Sequence, residues 1–207
     1  MNQTSLYFAT PIHRSNIKSD LENYVIDMSE NEKSVRMSNT GGWQSRHYTR
    51  PEREFELLWA QIEEKINEFH KSLSLKHHLE ISDLWFNVNY KGSANRQHQH
   101  SGSIHSGVYY IRTPENCGNI CFMHPSQSIT WSWPNHLLVN EQNHINSSMV
   151  SVKPIKNMLL IFPSWSEHSV DTNESDDTRI SLSFNTWPKG NMGDIKSLTY
   201  LPLDRCV

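Results

Sequence analysis

The chain has 207 residues, of which 36% are hydrophobic and 20% charged, with 8 Gly and 9 Pro. These proportions exclude collagen-like, low-complexity and charge-expanded disordered chains and leave enough apolar material for a sizeable core. A net charge of -3 with no Lys/Arg cluster gives no electrostatic signal for nucleic acid or a membrane surface. The first thirty residues hold no apolar run longer than Leu6-Tyr7-Phe8-Ala9, and the longest elsewhere is Met158 to Phe162. Neither a signal peptide nor a transmembrane span is expected, and the expected location is the cytoplasm. Cys117, Cys121 and Cys206 lack paired spacing and read as reduced thiols. The conspicuous residues are the 12 His and 7 Trp, since imidazoles bind metals and large aromatics line pockets.

Ser19-Asp20-Leu21-Glu22 has the form of a capping box, with Leu21, Tyr24, Val25 and Met28 at helical spacing, and predicts a short helix from about residue 20. Residues 30 to 48 lose that period around the turn signal Asn39-Thr40-Gly41-Gly42, so a loop anchored by Trp43 or Tyr48 is expected. From Glu52 to Leu73 the apolar stripe Phe55, Leu58, Trp59, Ile62, Ile66, Phe69 and Leu73 predicts a second helix, with Glu52 and Glu54 after Pro51 in its first turn. Beyond about residue 79 the period becomes two. Leu84, Phe86, Val88 and Tyr90 alternate with Trp85, Asn87 and Asn89; further strands are expected at Ile104 to Ile111, Asn119 to Met123, Met149 to Val152, Asn157 to Phe162 and Arg179 to Trp187. This pattern predicts a mainly β fold, an antiparallel sandwich or jelly roll with N-terminal helices on one face. One domain over 1-207 is expected, with 1-78 as helical support and 79-207 as the β core.

In the last strand Ile180, Leu182 and Phe184 share one face, leaving Arg179, Ser181, Ser183 and Asn185 on the other. His98-Gln99-His100 presents two imidazoles to one side of an extended chain. A third, His168, lies far along the sequence in Pro163-Ser164-Trp165-Ser166-Glu167-His168, and Arg179-x-Ser181 follows it. A close ligand pair, a distant His and then Arg-x-Ser on the final strand is the arrangement of a non-haem iron site beside an anion clamp.

This order resembles the iron(II)/2-oxoglutarate-dependent oxygenases, in particular a group of small 2OG-Fe(II) oxygenases with H-x-H in place of H-x-D. The matching residues are Leu6 to Ile12, Asn39 to Ser45, Trp85 to Asn89, His98-Gln99-His100, Ser106-Gly107-Val108-Tyr109-Tyr110, Pro163 to His168 and Arg179 to Trp187. The resemblance implies a double-stranded β-helix, or cupin-like jelly roll. It implies His98 and His168 as Fe(II) ligands with His100 in the carboxylate's place, and Arg179 with Ser181 as holders of the far carboxylate of 2-oxoglutarate. The implied activity is hydroxylation of an unidentified substrate with release of succinate and CO2. A neutral third ligand leaves the site one charge more positive than the usual triad, which favours the dianionic cosubstrate and disfavours oxidation of the metal.

Tyr109 and Tyr110 alternate faces, so one packs in the core while the other reaches the pocket to contact cosubstrate. Asn87 and Asn89 share a polar face and are candidates to bond cosubstrate or substrate, and Trp131 and Trp133 either rim the opening or anchor a long loop. His105 is a lower-ranked substitute ligand, and Glu167, beside His168, points to the opposite face. The competing readings are a three-His enzyme without 2-oxoglutarate, either a cupin-like dioxygenase or a Zn hydrolase, and a non-catalytic metal-binding jelly roll.

Overall fold

A computed structural model describes residues 9–126, 140–194, 196 and 200–201. Leu6 to Phe8, Trp131, Trp133 and Cys206 lie outside the described residues. The elements in chain order are β1 (His13–Asn16), α1 (Glu22–Asn31), β2 (Asn39–Thr40), β3 (Trp43–Gln44), α2 (Glu56–Ser72), β4 (Leu79–Asn89), β5 (Ala94–His98), β6 (His105–Arg112), β7 (Ile120–Met123), β8 (Met149–Val152), β9 (Met158–Pro163), β10 (His168–Val170) and β11 (Arg179–Pro188).

The strands form two antiparallel sheets, ordered β1-β9-β6-β11-β4-β3 and β2-β5-β10-β7-β8, which is the jelly roll that the period of two predicts. Strand parity separates two cores. Leu84, Phe86, Tyr109, Ile161, Leu182 and Phe184 face outward from the larger sheet and pack with the helices. Val108, Tyr110, Leu160 and Phe162 face inward and meet Ile120, Phe122 and Val152 of the smaller sheet. The larger sheet is thus covered on both sides, which explains why β9 reads as an unbroken apolar run rather than an alternation.

Helix α2 lies on the outer face through Leu58, Trp59, Ile62, Ile66 and Phe69, all buried. Its polar residues dock it to the start of β4: the Asn67 amide donates to Leu79 O and its Oδ1 accepts from Leu79 N–H, both at 2.9 Å, while Glu63 accepts from Ile81 N–H at 3.0 Å. The helix starts at Glu56, later than the sequence pattern suggests. Glu52 precedes it and is drawn off by Arg46 and by the Tyr24 hydroxyl, which donates to it at 3.2 Å. The capping box before α1 does not form either. The N-cap is Leu21, without a side-chain bond, and Ser19 instead pairs its hydroxyl with that of Tyr109 at 3.0 Å.

The region before residue 79 contributes strands as well as helices. Between β2 and β3 the chain passes from the smaller sheet to the larger through Gly41 and Gly42, at φ of 66° and 68°. A Cβ on Gly42 would come within 2.8 Å of Val88 O, so only glycine fits this close approach. Trp43 and Tyr48, the expected anchors of this stretch, are both buried. Among the described residues no helix is long and apolar enough to cross a membrane.

Ile62 has no exposed surface. Ile62→Asp is expected to destabilise the whole protein by about 3 kcal/mol or more, because an unpaired carboxylate would be forced into an apolar contact. Thermal unfolding checks this, and a variant that melts with the parent would place the stripe against solvent.

Candidate metal centre

β5 and β10 are neighbours in the smaller sheet, and their register sets His98 directly opposite His168. His100 lies just past the end of β5, and its backbone N–H is held by Ser164 O at 3.0 Å. The three rings converge, with centroids 4.4 Å apart for His98 and His168, 5.1 Å for His98 and His100, and 5.2 Å for His100 and His168. One ligand nitrogen from each lies within 4.8 Å of the others.

Hydrogen bonding fixes the tautomer of two of them. His98 Nδ1–H donates to Arg96 O at 2.6 Å and His168 Nδ1–H to Ser166 O at 2.9 Å. The Nε2 lone pair of each is thereby left for a ligand role. Burial, then the neighbouring His168 and His98, pushes His100 down to about 3 against a weaker opposing pull from Asp83. Burial likewise lowers His168 to about 4, partly offset by its bond to Ser166. These rings are neutral at physiological pH, as metal ligation requires.

Across the cavity, Arg179 pairs in register with Asn89, and Ser181 with Asn87 on β4 and Tyr110 on β6. All five residues line the same cavity as the three imidazoles. Arg179 is only 2% exposed, and its Nη1 donates to the carbonyls of Cys117 at 2.5 Å and Gly118 at 3.3 Å. Among the described residues it has no carboxylate partner, an expensive state for a buried cation and one that an anionic ligand would relieve. Burial lowers its pKa, opposed by Tyr110, Cys117 and Asp171. Burial raises that of Tyr110, which therefore presents a protonated hydroxyl beside the guanidinium. The donor set, three converging imidazoles and an unmatched guanidinium, fits a divalent metal together with a dicarboxylate.

Tyr109 does not belong to this site. It points to the opposite face of β6, where its hydroxyl donates to Ile17 O and Asn157 Oδ1, each at 3.1 Å, which corrects its assignment as a cosubstrate contact. His105 shares that outer face and bonds His70 Nδ1 at 3.0 Å, away from the metal cluster. Glu167 is exposed. The sequence puts Trp85 and Ser183 on the inner faces of their strands without giving either a site role, and both also line the cavity. Their parity with Asn87 and Ser181 was the available signal, whereas nothing local marks the two carbonyls that hold Arg179.

Residues 83–185 match the family model described as "Putative 2OG-Fe(II) oxygenase", and the chain belongs to that family. A comparison with curated proteins finds no match. Among solved structures, a Pseudomonas putida prolyl-4-hydroxylase superposes with a TM-score of 0.58 at 15% identity, covering 86% of this chain and 93% of its own. The viral collagen prolyl hydroxylase of Paramecium Bursaria Chlorella virus-1, solved with 2OG, gives 0.54 at 14%, covering 84% and 94%. The α-ketoglutarate-dependent epimerase SnoN of nogalamycin biosynthesis gives 0.58 at 13%, covering 90% and 82%. At these identities the likeness establishes the double-stranded β-helix fold, and the matched segment establishes a 2-oxoglutarate- and Fe(II)-dependent oxygenase.

His105 is lowered to about 4 by burial and by His70, so it joins His100 and His168 in binding a proton less readily than in the unfolded chain, where the ordinary value is 6.5. Above pH 6.5 their contribution to stability is fully present. As pH falls from there towards 4 the unfolded state binds more protons and that stability is lost. The urea midpoint of the metal-free protein is expected to fall between pH 7 and about pH 5; a flat profile would show that these rings titrate as in water.

Proposed function

We propose that His98, His100 and His168 hold the Fe(II), that Arg179 with Ser181 and Tyr110 holds 2-oxoglutarate, and that the enzyme hydroxylates a substrate as yet unidentified. Asn87 and Asn89 form the polar wall beside the cosubstrate, and residues 1–207 act as one oxygenase domain. The observation that carries the reading is the guanidinium of Arg179, buried without a carboxylate partner among the described residues in the cavity that also holds the three imidazoles.

The bound Fe(II) supplies the redox chemistry by which dioxygen converts 2-oxoglutarate to succinate and CO2 and a substrate C–H bond to an alcohol. The chain does the positioning. Arg179 offers a planar fork of donors to the far carboxylate, with its Nη1 already tied to backbone so that the fork's orientation is fixed before the ligand arrives. The hydroxyls of Ser181 and Tyr110 are neutral donors on the adjoining strands. The inter-sheet core of Val108, Ile120 and Phe162 seals the cavity behind them and keeps water out. The family match gives no support to a Zn hydrolase or a non-catalytic metal-binding jelly roll, and a buried cation aimed at a dicarboxylate has no task in either.

Arg179→Lys keeps the charge and loses the fork, so 2-oxoglutarate binding to the Mn(II) protein without oxygen should weaken. Arg179→Met should weaken it by roughly 100-fold or more, the contribution of two charge-assisted bonds. Admission of oxygen to the Fe(II) protein should then yield succinate slowly even without substrate. A parent that binds metal but neither binds 2-oxoglutarate at submillimolar concentration nor responds to Arg179→Met would overturn this assignment.

A further inference from the structure

The three imidazoles are not equally supported. His98 and His168 each have a backbone carbonyl on Nδ1, whereas the His100 ring makes no hydrogen bond among the described residues. His100 also lies beyond the end of its strand, and by the resemblance it stands where the wider oxygenase superfamily has a carboxylate. An imidazole in that situation is free to turn about its χ2 bond unless something packs against it.

Besides the other two imidazoles, the ring that meets it is Trp85, on the inner face of β4, with its centroid 5.9 Å from that of His100 and its plane tilted by 45°. The indole is itself held. His47 stacks on it with centroids 4.6 Å apart and planes 11° from parallel. His47 Nδ1–H donates to Asp83 Oδ2 at 2.8 Å, and the Gln44 amide donates to His47 Nε2 at 3.3 Å. Asp83 is fixed in turn by Asn185 Nδ2 at 3.3 Å and by the Ser82 hydroxyl at 3.0 Å. Asn185 accepts from Ser106, whose hydroxyl meets that of Ser164 at 2.7 Å. Ser164 is also the residue whose carbonyl holds the His100 backbone. The chain of contacts therefore starts and ends at His100, from its ring through Trp85, His47, Asp83, Asn185 and Ser106 to its own N–H. None of these residues has a part in holding metal or cosubstrate.

We propose that Trp85, clamped by His47 and Asp83, is the positioning residue for His100, doing by ring packing what backbone carbonyls do for the other two ligands. The proposal rests on the three-imidazole reading of the metal site. Its physical basis is preorganisation: apparent metal affinity scales with the fraction of protein whose third imidazole is already in the binding orientation. A fixed aromatic ring beside the imidazole raises that fraction without adding charge. The polar chain behind it keeps the indole from following the ring as it turns.

The test is Co(II) titration of the metal-free full chain. His47→Ala, at an exposed residue, should weaken Co(II) binding about 10-fold, as expected if the competent orientation falls to about a tenth of the population. His47→Phe keeps a ring on the indole and should bind within a few-fold of the parent. In a His100→Ala background His47→Ala should have no further effect, since the support then has nothing to orient. Unchanged affinity in His47→Ala, or an equal loss in the His100→Ala background, would overturn the proposal. Failure of the Phe variant to restore binding would also overturn it, by assigning the effect to the Asp83 bond instead of the ring stack. If His100→Ala itself binds Co(II) like the parent, the three-imidazole site fails and the positioning role falls with it.

Discussion

A guanidinium taken out of water with only backbone carbonyls as partners constrains much of the surrounding structure. Arg179 is among the most completely buried large side chains of the described residues, and among them Nη1 is tied to the carbonyls of Cys117 and Gly118. A cation so placed destabilises the metal-free fold and is tolerable only if the rest of the protein supplies ample apolar burial elsewhere. The larger sheet meets that requirement by being covered on both faces. Its outer side, with α1 and α2, carries the continuous hydrophobic core, so the inner side can give up apolar contact to Arg179, Ser181, Asn87 and Asn89. Stability and chemistry are thus divided by strand parity: along β11, odd-numbered residues from Arg179 to Ser183 serve the cavity and even-numbered ones from Ile180 to Phe184 the core.

The same division separates the histidines. His105 and His70 form a buried, hydrogen-bonded pair between α2 and the sheet, while His98, His100 and His168 lie inside the roll. Burial makes His100, His105 and His168 poor proton acceptors on both faces, yet only the inner set has converging nitrogens. In the outer pair the ring nitrogens are directed at each other and, through His70 Nε2, at Lys76 O. Histidine count alone therefore carries little information about metal binding; the face of the strand decides it.

That face was legible in the sequence wherever a strand is apolar on one side. The alternation in β4 and β11 placed Asn87, Asn89, Arg179 and Ser181 together, and the periodicity of α2 placed its buried stripe. β5 was not legible, because Ala94-Asn95-Arg96-Gln97-His98 has no apolar face and is a strand only through its pairing with β2 and β10. The two-residue strands β2 and β3 are set by Gly42 approaching β4, a tertiary fact with only a turn signal in the sequence. The capping box does not form because the Ser19 hydroxyl is taken by that of Tyr109, and that same contact holds Tyr109 away from the cavity. Tyr109 and Tyr110 show the limit of parity from sequence: it says that two neighbours part, but choosing which one enters the cavity needs the sheet's two faces to be distinguished.

The substitution of an imidazole for a carboxylate at position 100 joins these points. A carboxylate ligand brings its own charge and a second oxygen with which to accept hydrogen bonds, so it can be oriented by donors around it. A neutral imidazole brings neither, and at position 100 its ring has no hydrogen-bond partner among the described residues. In the proposed site the negative charge that such a centre lacks would come from the cosubstrate, for which Arg179 on the far wall is the proposed partner. The orientation that the centre lacks must come from packing. In the proposed site an imidazole at position 100 thereby places two demands on the fold, a dianion held between the metal end and Arg179 and an aromatic surface beside His100, and β4 carries candidates for both on a single face, with Asn87 and Asn89 in register with Ser181 and Arg179 and Trp85 beside the imidazole.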